Sequence, residues 1–211
     1  MLKKLIILGA GGMGREVLQW IKDINAKLPT WEILGFADDN LEALDGKECD
    51  YKIVSKISEL KDFEDTYFAL AIASPKAKEK LVGELKAKGA RFATIIHPMT
   101  RIGSFNSVGE GTVIYPGASL SVNCEIGSFV TLLGSTVGHD AKIGDYSSIM
   151  GTCNINGGVS IGKRVFLGCQ TVTVPGRKIG DDAYVCAGSV VMTNVRANTK
   201  VMGNPAKKYD L

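Results

Sequence analysis

Only two histidines occur in the 211 residues, and they stand in opposite contexts. His139 is followed at once by Asp140 in Gly138-His139-Asp140-Ala141, whereas His97 precedes Pro98. A neutral imidazole takes a proton from an attacking amine or hydroxyl at ordinary pH, and an adjacent carboxylate fixes its tautomer. Proline restricts the residue before it to extended backbone, so His97 reads as a linker residue. A second chemical signature is Gly9-Ala10-Gly11-Gly12-Met13-Gly14, which fits G-x-G-x-x-G behind a short apolar run. Glycines at that spacing let a turn approach a phosphate at the positive end of the next helix. Asp38 and Asp39 end a second β-rich run, where an acid can bind a ribose hydroxyl. Cys49, Cys124, Cys153, Cys169 and Cys186 are odd in number and form no C-x-x-C pair, so neither a disulfide framework nor a zinc site is indicated. A covalent route through Cys169 or Cys186 lacks a second His in sequence reach as a partner.

The element that must hold His139 is a repeat. From Ile102 to about Val195 a large aliphatic residue recurs every six positions: Ile102, Val108, Ile114, Leu120, Ile126 and Leu132, then Val137 through Val191, with Thr173 the one exception. The residue two before each is small or β-branched, except Asn106 and Arg177, and Gly commonly follows. An α-helical face recurs at 3.6 residues and a strand face at two, so a period of six suits neither alone. It suits a short strand and a turn, with the aliphatic and the small residue both inward and Gly or Asn supplying a positive-φ corner. Stacked coils of this kind form a parallel β-helix. An ordinary sandwich would space its strands at roughly 8 to 12 residues.

The register slips once, because Leu132 to Val137 is five residues, within the stretch that ends in Gly138-His139-Asp140. A second irregularity surrounds Thr173-Val174-Pro175-Gly176-Arg177-Lys178, where both inward positions fail and Pro-Gly marks a protruding turn. Cys124 and Cys153 occupy the small inward position and read as core filler.

In front of the repeat, strand signals at 3–8, 32–37, 67–73 and 91–96 alternate with helical spacing in Val17, Trp20, Ile21, Ile24 and Leu28 and in Ala77, Leu81 and Leu85. The lysines between the latter read as a solvated face. The segment 41–61 reads as a loop with one short strand and a helical turn. The expected organisation is an α/β Rossmann-like unit over 1–96 with a parallel sheet, then an all-β parallel β-helix over 97–211 with a C-terminal tail lying over neighbouring coils.

A formal charge of +3 and the absence of a basic stripe interleaved with aromatics argue against nucleic acid. The apolar run behind Lys3-Lys4 is four residues before Gly9, too short for a secretory leader, and it reads as a buried strand. No stretch is long enough to span a membrane, so a reduced cytoplasmic location is expected, without membrane insertion.

With the hexads, Gly138-His139-Asp140, Pro175-Gly176, Ala187-Gly188-Ser189-Val190-Val191 and Gly203-Asn204-Pro205-Ala206-Lys207, the chain resembles the left-handed β-helix (hexapeptide-repeat) acyltransferases. The glycine turn and Asp38-Asp39 in front make it most similar to the NeuD or PglD-like bacterial sugar acetyltransferases. The resemblance implies a left-handed helix, a homotrimer with sites between subunits, acetyl-CoA along the groove between β-helices, and a nucleotide-linked sugar in the N-terminal domain. It further implies His139 as general base with Asp140 raising its basicity. Ser148, Gly157, Cys169 and Ala187 would surround acetyl-CoA, with Gly203 and Pro205 near its pantetheine arm. Gly11, Gly12, Met13, Asp38, Asp39 and Ala73 match the sugar-nucleotide pocket. Ser148 stands where relatives often carry a second His, and Met13 where some carry a polar residue or His.

The reaction these features imply is direct N-acetylation of a nucleotide-linked amino sugar, without a metal, with glycine-corner N–H groups opposing the growing oxyanion. O-acetylation of a sugar such as a sialic acid is the alternative, since one base serves both nucleophiles. A nicotinamide-dependent oxidoreductase needs room for a dinucleotide that the first 96 residues do not offer. A β-helical carbonic anhydrase needs three His ligands, and only two histidines exist. A silent scaffold would function unchanged without His139.

Overall fold

A short apolar run, a glycine turn and an amphipathic stretch become strand, turn and helix in the computed structural model, which describes residues 2–61 and 63–209. The outer limits of the two expected units, residues 1 and 211, lie outside the described residues. Strand β1 (Lys3–Leu8) leads through Gly9–Gly11 into helix α1 (Gly12–Lys27), followed by β2 (Trp31–Ala37), β3 (Ile53–Ser55), β4 (Thr66–Leu70), helix α2 (Pro75–Lys86) and β5 (Arg91–Phe92). The sheet is parallel throughout, in the order β3-β2-β1-β4-β5. The order reverses at β1, and a ligand crevice forms beyond the strand ends at such a switch point. The loop 41–61 holds one short strand and a single 3-10 turn, Ile57–Glu59, as its composition suggests.

Gly14, Val17, Leu18 and Ile21 form the buried stripe of α1, at i, i+3, i+4 and i+7. Leu28, expected on that stripe, is instead 68% exposed at the C-terminal cap. Helix α2 starts where Ser74 Oγ accepts the Ala77 N–H at 3.5 Å and Pro75 presets φ. Its buried face is Lys78, Val82 and Leu85, so the lysines are not all a solvated face. The strand expected over 91–96 is two: Arg91–Phe92 pairs with β4, while Ile95–Ile96 pairs with Val113–Ile114 and opens the next unit.

That unit is a three-sided parallel β-helix built from two-residue strands. Its first face runs Ile95–Ile96, Val113–Ile114, Thr131–Leu132, Ser148–Ile149, Phe166–Leu167, Tyr184–Val185 and Lys200–Met202. Strand Lys207–Lys208 closes this face antiparallel to the last of these, so the tail folds back on the final coil. The second face runs from Arg101–Ile102 to Val190–Val191, and the third from Ser107–Val108 to Lys178–Ile179. Ile114, Leu120, Ile126, Leu132, Val137 and their successors fill the interior with Ala118, Cys124, Val130, Ala141 and Cys153 between them. Each such aliphatic side chain taken from water contributes about 1.5–3 kcal/mol. Thr173, which breaks the aliphatic pattern, is nonetheless fully buried, its hydroxyl accepting the Asn156 N–H at 3.1 Å.

One local expectation is corrected, and the register slip falls where the spacing put it. The glycine after each aliphatic does not supply the positive φ. That falls two residues later, at Phe105, Asn123, Phe129, Asp140, Tyr146 and equivalents. The glycine is required by coil stacking: a Cβ on Gly138 would lie 2.6 Å from the Gly157 nitrogen of the next coil. The missing residue is lost at the turn between Thr131–Leu132 and Thr136–Val137, one corner before His139.

Candidate active site

His139 and Asp140 occupy the turn between the second and third faces, between Thr136–Val137 and Lys142–Ile143. Asp140 has φ 60, and its N–H donates to Val122 O of the preceding coil at 3.0 Å. The His139 carbonyl accepts the Gly158 N–H of the following coil at 2.8 Å. The backbone on both sides of the imidazole is therefore fixed by the stack. His139 Nδ1 lies 2.7 Å from Asp140 Oδ2. With Asp140 ionised, Nδ1 carries the proton and Nε2 presents its lone pair. The Asp140 carboxyl is held below the ordinary carboxylate range, first by the His139 hydrogen bond and also by the Asn123 side chain one coil earlier. Nε2 has no hydrogen-bond partner among the described residues, and the His139 side chain is 65% exposed. Gly157 makes room for the ring, since a Cβ there would stand 2.5 Å from Nε2.

Of the six residues matched to acetyl-CoA, Gly157 alone shares the His139 corner. Cys169 and Ala187 stack in the column between the first and second faces, where the Gly188 N–H donates to Cys169 O at 2.8 Å. Gly203 continues that column, its carbonyl accepting the Val190 N–H at 3.0 Å, and Pro205 follows a cis peptide bond just beyond. Ser148 is fully buried on the first face, where its hydroxyl donates to Ala73 O at 2.6 Å. Cys186 Sγ lies 3.0 Å from Tyr209 Oη of the tail. A cleft of about 570 Å³, lined by Pro75, Lys76, Arg164, Phe166, Tyr184 and Lys200 among others, excludes the His139 corner altogether.

The residues matched to a sugar nucleotide do converge. Gly11, Gly12 and Met13 follow β1, Asp38 and Asp39 follow β2, and Ala73 follows β4, all at the carboxyl ends of adjacent strands. Gly14 packs helix on turn so closely that a Cβ would run into the Gly9 carbonyl. Asp38 holds the turn itself: Oδ2 accepts the Ala10 N–H at 2.7 Å and Oδ1 the Asn40 N–H at 2.9 Å. Asp39 Oδ1 accepts from the N–H and hydroxyl of Ser58, at 3.1 and 3.0 Å. Gly11 and Gly12 are exposed, and Met13 packs half-buried against the core.

His97 is more than a linker residue. It is 5% exposed, its Nδ1 accepts the Met99 N–H at 3.1 Å, and its Nε2 therefore donates to Asp23 Oδ2 at 2.9 Å. Sequence reasoning also missed Lys78 and Arg164, which clasp α2 to the β-helix. The signal was available for Lys78, since it lies four residues before Val82 on the stripe that ends in Leu85. Among the described residues no group of three His, Cys, Asp or Glu is placed to hold a metal ion, and no helix is long and apolar enough to cross a membrane.

A nucleotide-type α/β crevice joined to a β-helix that presents an imidazole–carboxylate pair defines a hexapeptide-repeat acyltransferase. Comparison with known proteins agrees. The PglD N-terminal domain model matches residues 4–85. The chain is 32% identical over 211 aligned positions to GDP-perosamine N-acetyltransferase of Escherichia coli O157:H7, covering 96% of this chain and 94% of that protein. WeeI from Acinetobacter baumannii AYE superposes with a TM-score of 0.84 at 29% identity, over 98% of this chain and all of that one. PerB from Caulobacter crescentus, solved with CoA and GDP-perosamine, shares the fold with a TM-score of 0.88 at 24% identity, over 100% of this chain and 99% of that one. The chain belongs to the NeuD/PglD-like family of sugar acetyltransferases.

Proposed function

We propose that the protein transfers the acetyl group of acetyl-CoA to the amino group of a nucleotide-linked amino sugar, with His139 as general base. The observation that carries this reading is the Nδ1–Asp140 hydrogen bond of 2.7 Å, which leaves Nε2 as an open proton acceptor. The amine nitrogen attacks the thioester carbonyl carbon, and its proton passes to Nε2. The carbon–sulfur bond then breaks, and the proton returns to the departing CoA sulfur. Asp140 stabilises the imidazolium between those two transfers. The crevice at the ends of β1, β2 and β4 holds the nucleotide, with Gly11, Gly12, Met13, Asp38, Asp39 and Ala73 around it. Gly157, Cys169, Ala187, Gly203 and Pro205 form the acetyl-CoA groove, whereas Ser148, buried on the first face with its hydroxyl spent on Ala73, does not reach it.

That groove is completed in a homotrimer. Its residues are divided between separate corners of one chain, and His139 stands on a convex turn, so a neighbouring copy supplies the facing wall. Exposed apolar side chains on the first coils, Met99 at 75%, Ile102 at 42% and Phe105 at 87%, support contact with such a copy. Release of CoA with a panel of nucleotide amino sugars, GDP-perosamine first, tests the reading. Release with one of them but not with its N-acetylated form is expected, and no release with any amino sugar contradicts it.

A further inference from the structure

Lys78 has no exposed surface, yet no carboxylate is among its partners. Its Nζ donates to Phe129 O at 2.9 Å, to Ser147 O at 3.0 Å and to Thr131 Oγ1 at 3.2 Å. Three donors meet three acceptors, which is the full capacity of an ammonium group. With only carbonyls and a hydroxyl as partners, its hold depends on hydrogen bonds and not on an ion pair, and burial pushes the amine's pKa down to about 7. An apolar side chain of the same length would fill the space without the desolvation cost. What the amine adds is registration. Phe129 and Ser147 lie on successive coils, and an amine that must reach both carbonyls and a hydroxyl between them can sit at only one height on the stack.

The two ends of this grip are informative. Ser147 lies on the same coil as His139, one strand further along, and the next residue, Ser148, donates to Ala73 O at 2.6 Å. Ala73 ends the loop after β4 and lies five residues before Lys78. The outer contacts of the seam are Arg164 with Glu79 at 3.0 Å and Lys86 with Glu110 at 2.6 Å. In the latter both side chains are more than 40% exposed, so solvent screens the pair. Along this α2 seam, Lys78 and Ser148 are the ties held out of water.

We propose that Lys78 is a positioning residue for acetyl transfer: it registers the crevice at the ends of β1, β2 and β4 against the coil that carries His139. The proposal rests on reading that crevice as the acceptor site. Because the grip is on the first face and His139 lies on the opposite corner, the crevice serves the His139 corner of a neighbouring copy. A shift of even about one ångström along the stack would hold the amine out of line with that Nε2, and misplacement on that scale lowers turnover strongly.

The test uses the full chain carrying Lys78→Met, with Thr131→Val as a milder change on the opposite side of the same grip. For K78M, kcat/KM for the amino sugar should fall by about tenfold or more while KM for acetyl-CoA stays within about twofold. Amides of residues 71–74 should exchange at least about tenfold faster, with those of 136–150 unchanged. T131V should show the same pattern at about threefold, and it decides the matter if K78M does not fold. Folded variants with native acceptor kinetics and native exchange overturn the proposal, as does an equal loss for both substrates, since a merely structural lysine would lower stability without separating them. If the unaltered protein acetylates no nucleotide amino sugar, the functional reading fails, and the exchange measurement alone still decides whether Lys78 sets the register.

Discussion

His97 and His139 each pair with an aspartate, and they differ in what is left over. His97 is buried at the junction of α1 and the first coil, with Trp20 edge-on at 5.2 Å and both ring nitrogens engaged. His139 stands on an open corner with one nitrogen engaged and the other free. An imidazole whose two nitrogens are satisfied in the interior is a structural strut, because protonating it would sacrifice a hydrogen bond. An imidazole oriented by one carboxylate and open at the other end is equipped to accept a proton. The comparison separates packing from chemistry within a single residue type.

The strongest way to break this distinction is to truncate both residues. His139→Ala should lower acetyl transfer by about 10²- to 10⁴-fold with an unchanged melting temperature. His97→Ala should instead cost about 1–3 kcal/mol of stability, read by urea unfolding, with activity per folded molecule retained. A His97 variant that stays stable but inactive would reverse the assignment.

A finer change moves the ring without removing it. The flexible imidazole can yield to a methyl group 2.5 Å from its Nε2, so Gly157→Ala should fold normally. Its turnover should nevertheless fall by about tenfold or more, measured as CoA release, because the displaced Nε2 no longer lies in line with the acceptor. Asp140→Asn should act in the same direction, lowering kcat with little effect on urea midpoints, since the exposed pair adds little to folding.

The smallest expected effect is one of pH. Hydrogen bonding to His97 lowers the Asp23 carboxyl below its ordinary value. A carboxyl depressed on folding contributes stability that is fully present above its unfolded pKa and is lost as pH falls through the folded value. Urea midpoints of the native protein should therefore drop on acidification below about pH 4, and Asp23→Asn should flatten part of that slope. An unaltered slope would show that the pair is energetically silent.

Much of this was legible in the residues. The six-residue period dictates the β-helix because each six-residue unit buries one large and one small side chain, whatever lies between them. The glycine turn declares itself because no side chain fits between Gly14 and the Gly9 carbonyl. His139 and Asp140 are neighbours in the chain, so their pairing needs no long-range contact to be seen. Lys78, by contrast, sits in a lysine-rich helix: its spacing from Val82 and Leu85 hints at burial, but only the position of two distant coils shows what its amine grips. The split of 91–96 between two sheets is likewise invisible locally, since both halves have the same strand character and tertiary pairing alone distinguishes them.

We propose that the open His139 corner works only against a neighbouring copy. Subunit mixing tests it directly: a His139→Ala chain is co-assembled with an Ala187→Trp chain, each inactive alone, and CoA release is measured. Some junctions in mixed trimers then combine an intact His139 with an intact Ala187 column, so partial recovery of acetylation is expected. A mixture that assembles yet stays as inactive as its separate components would show that His139 and the Ala187 column do not act across a subunit junction.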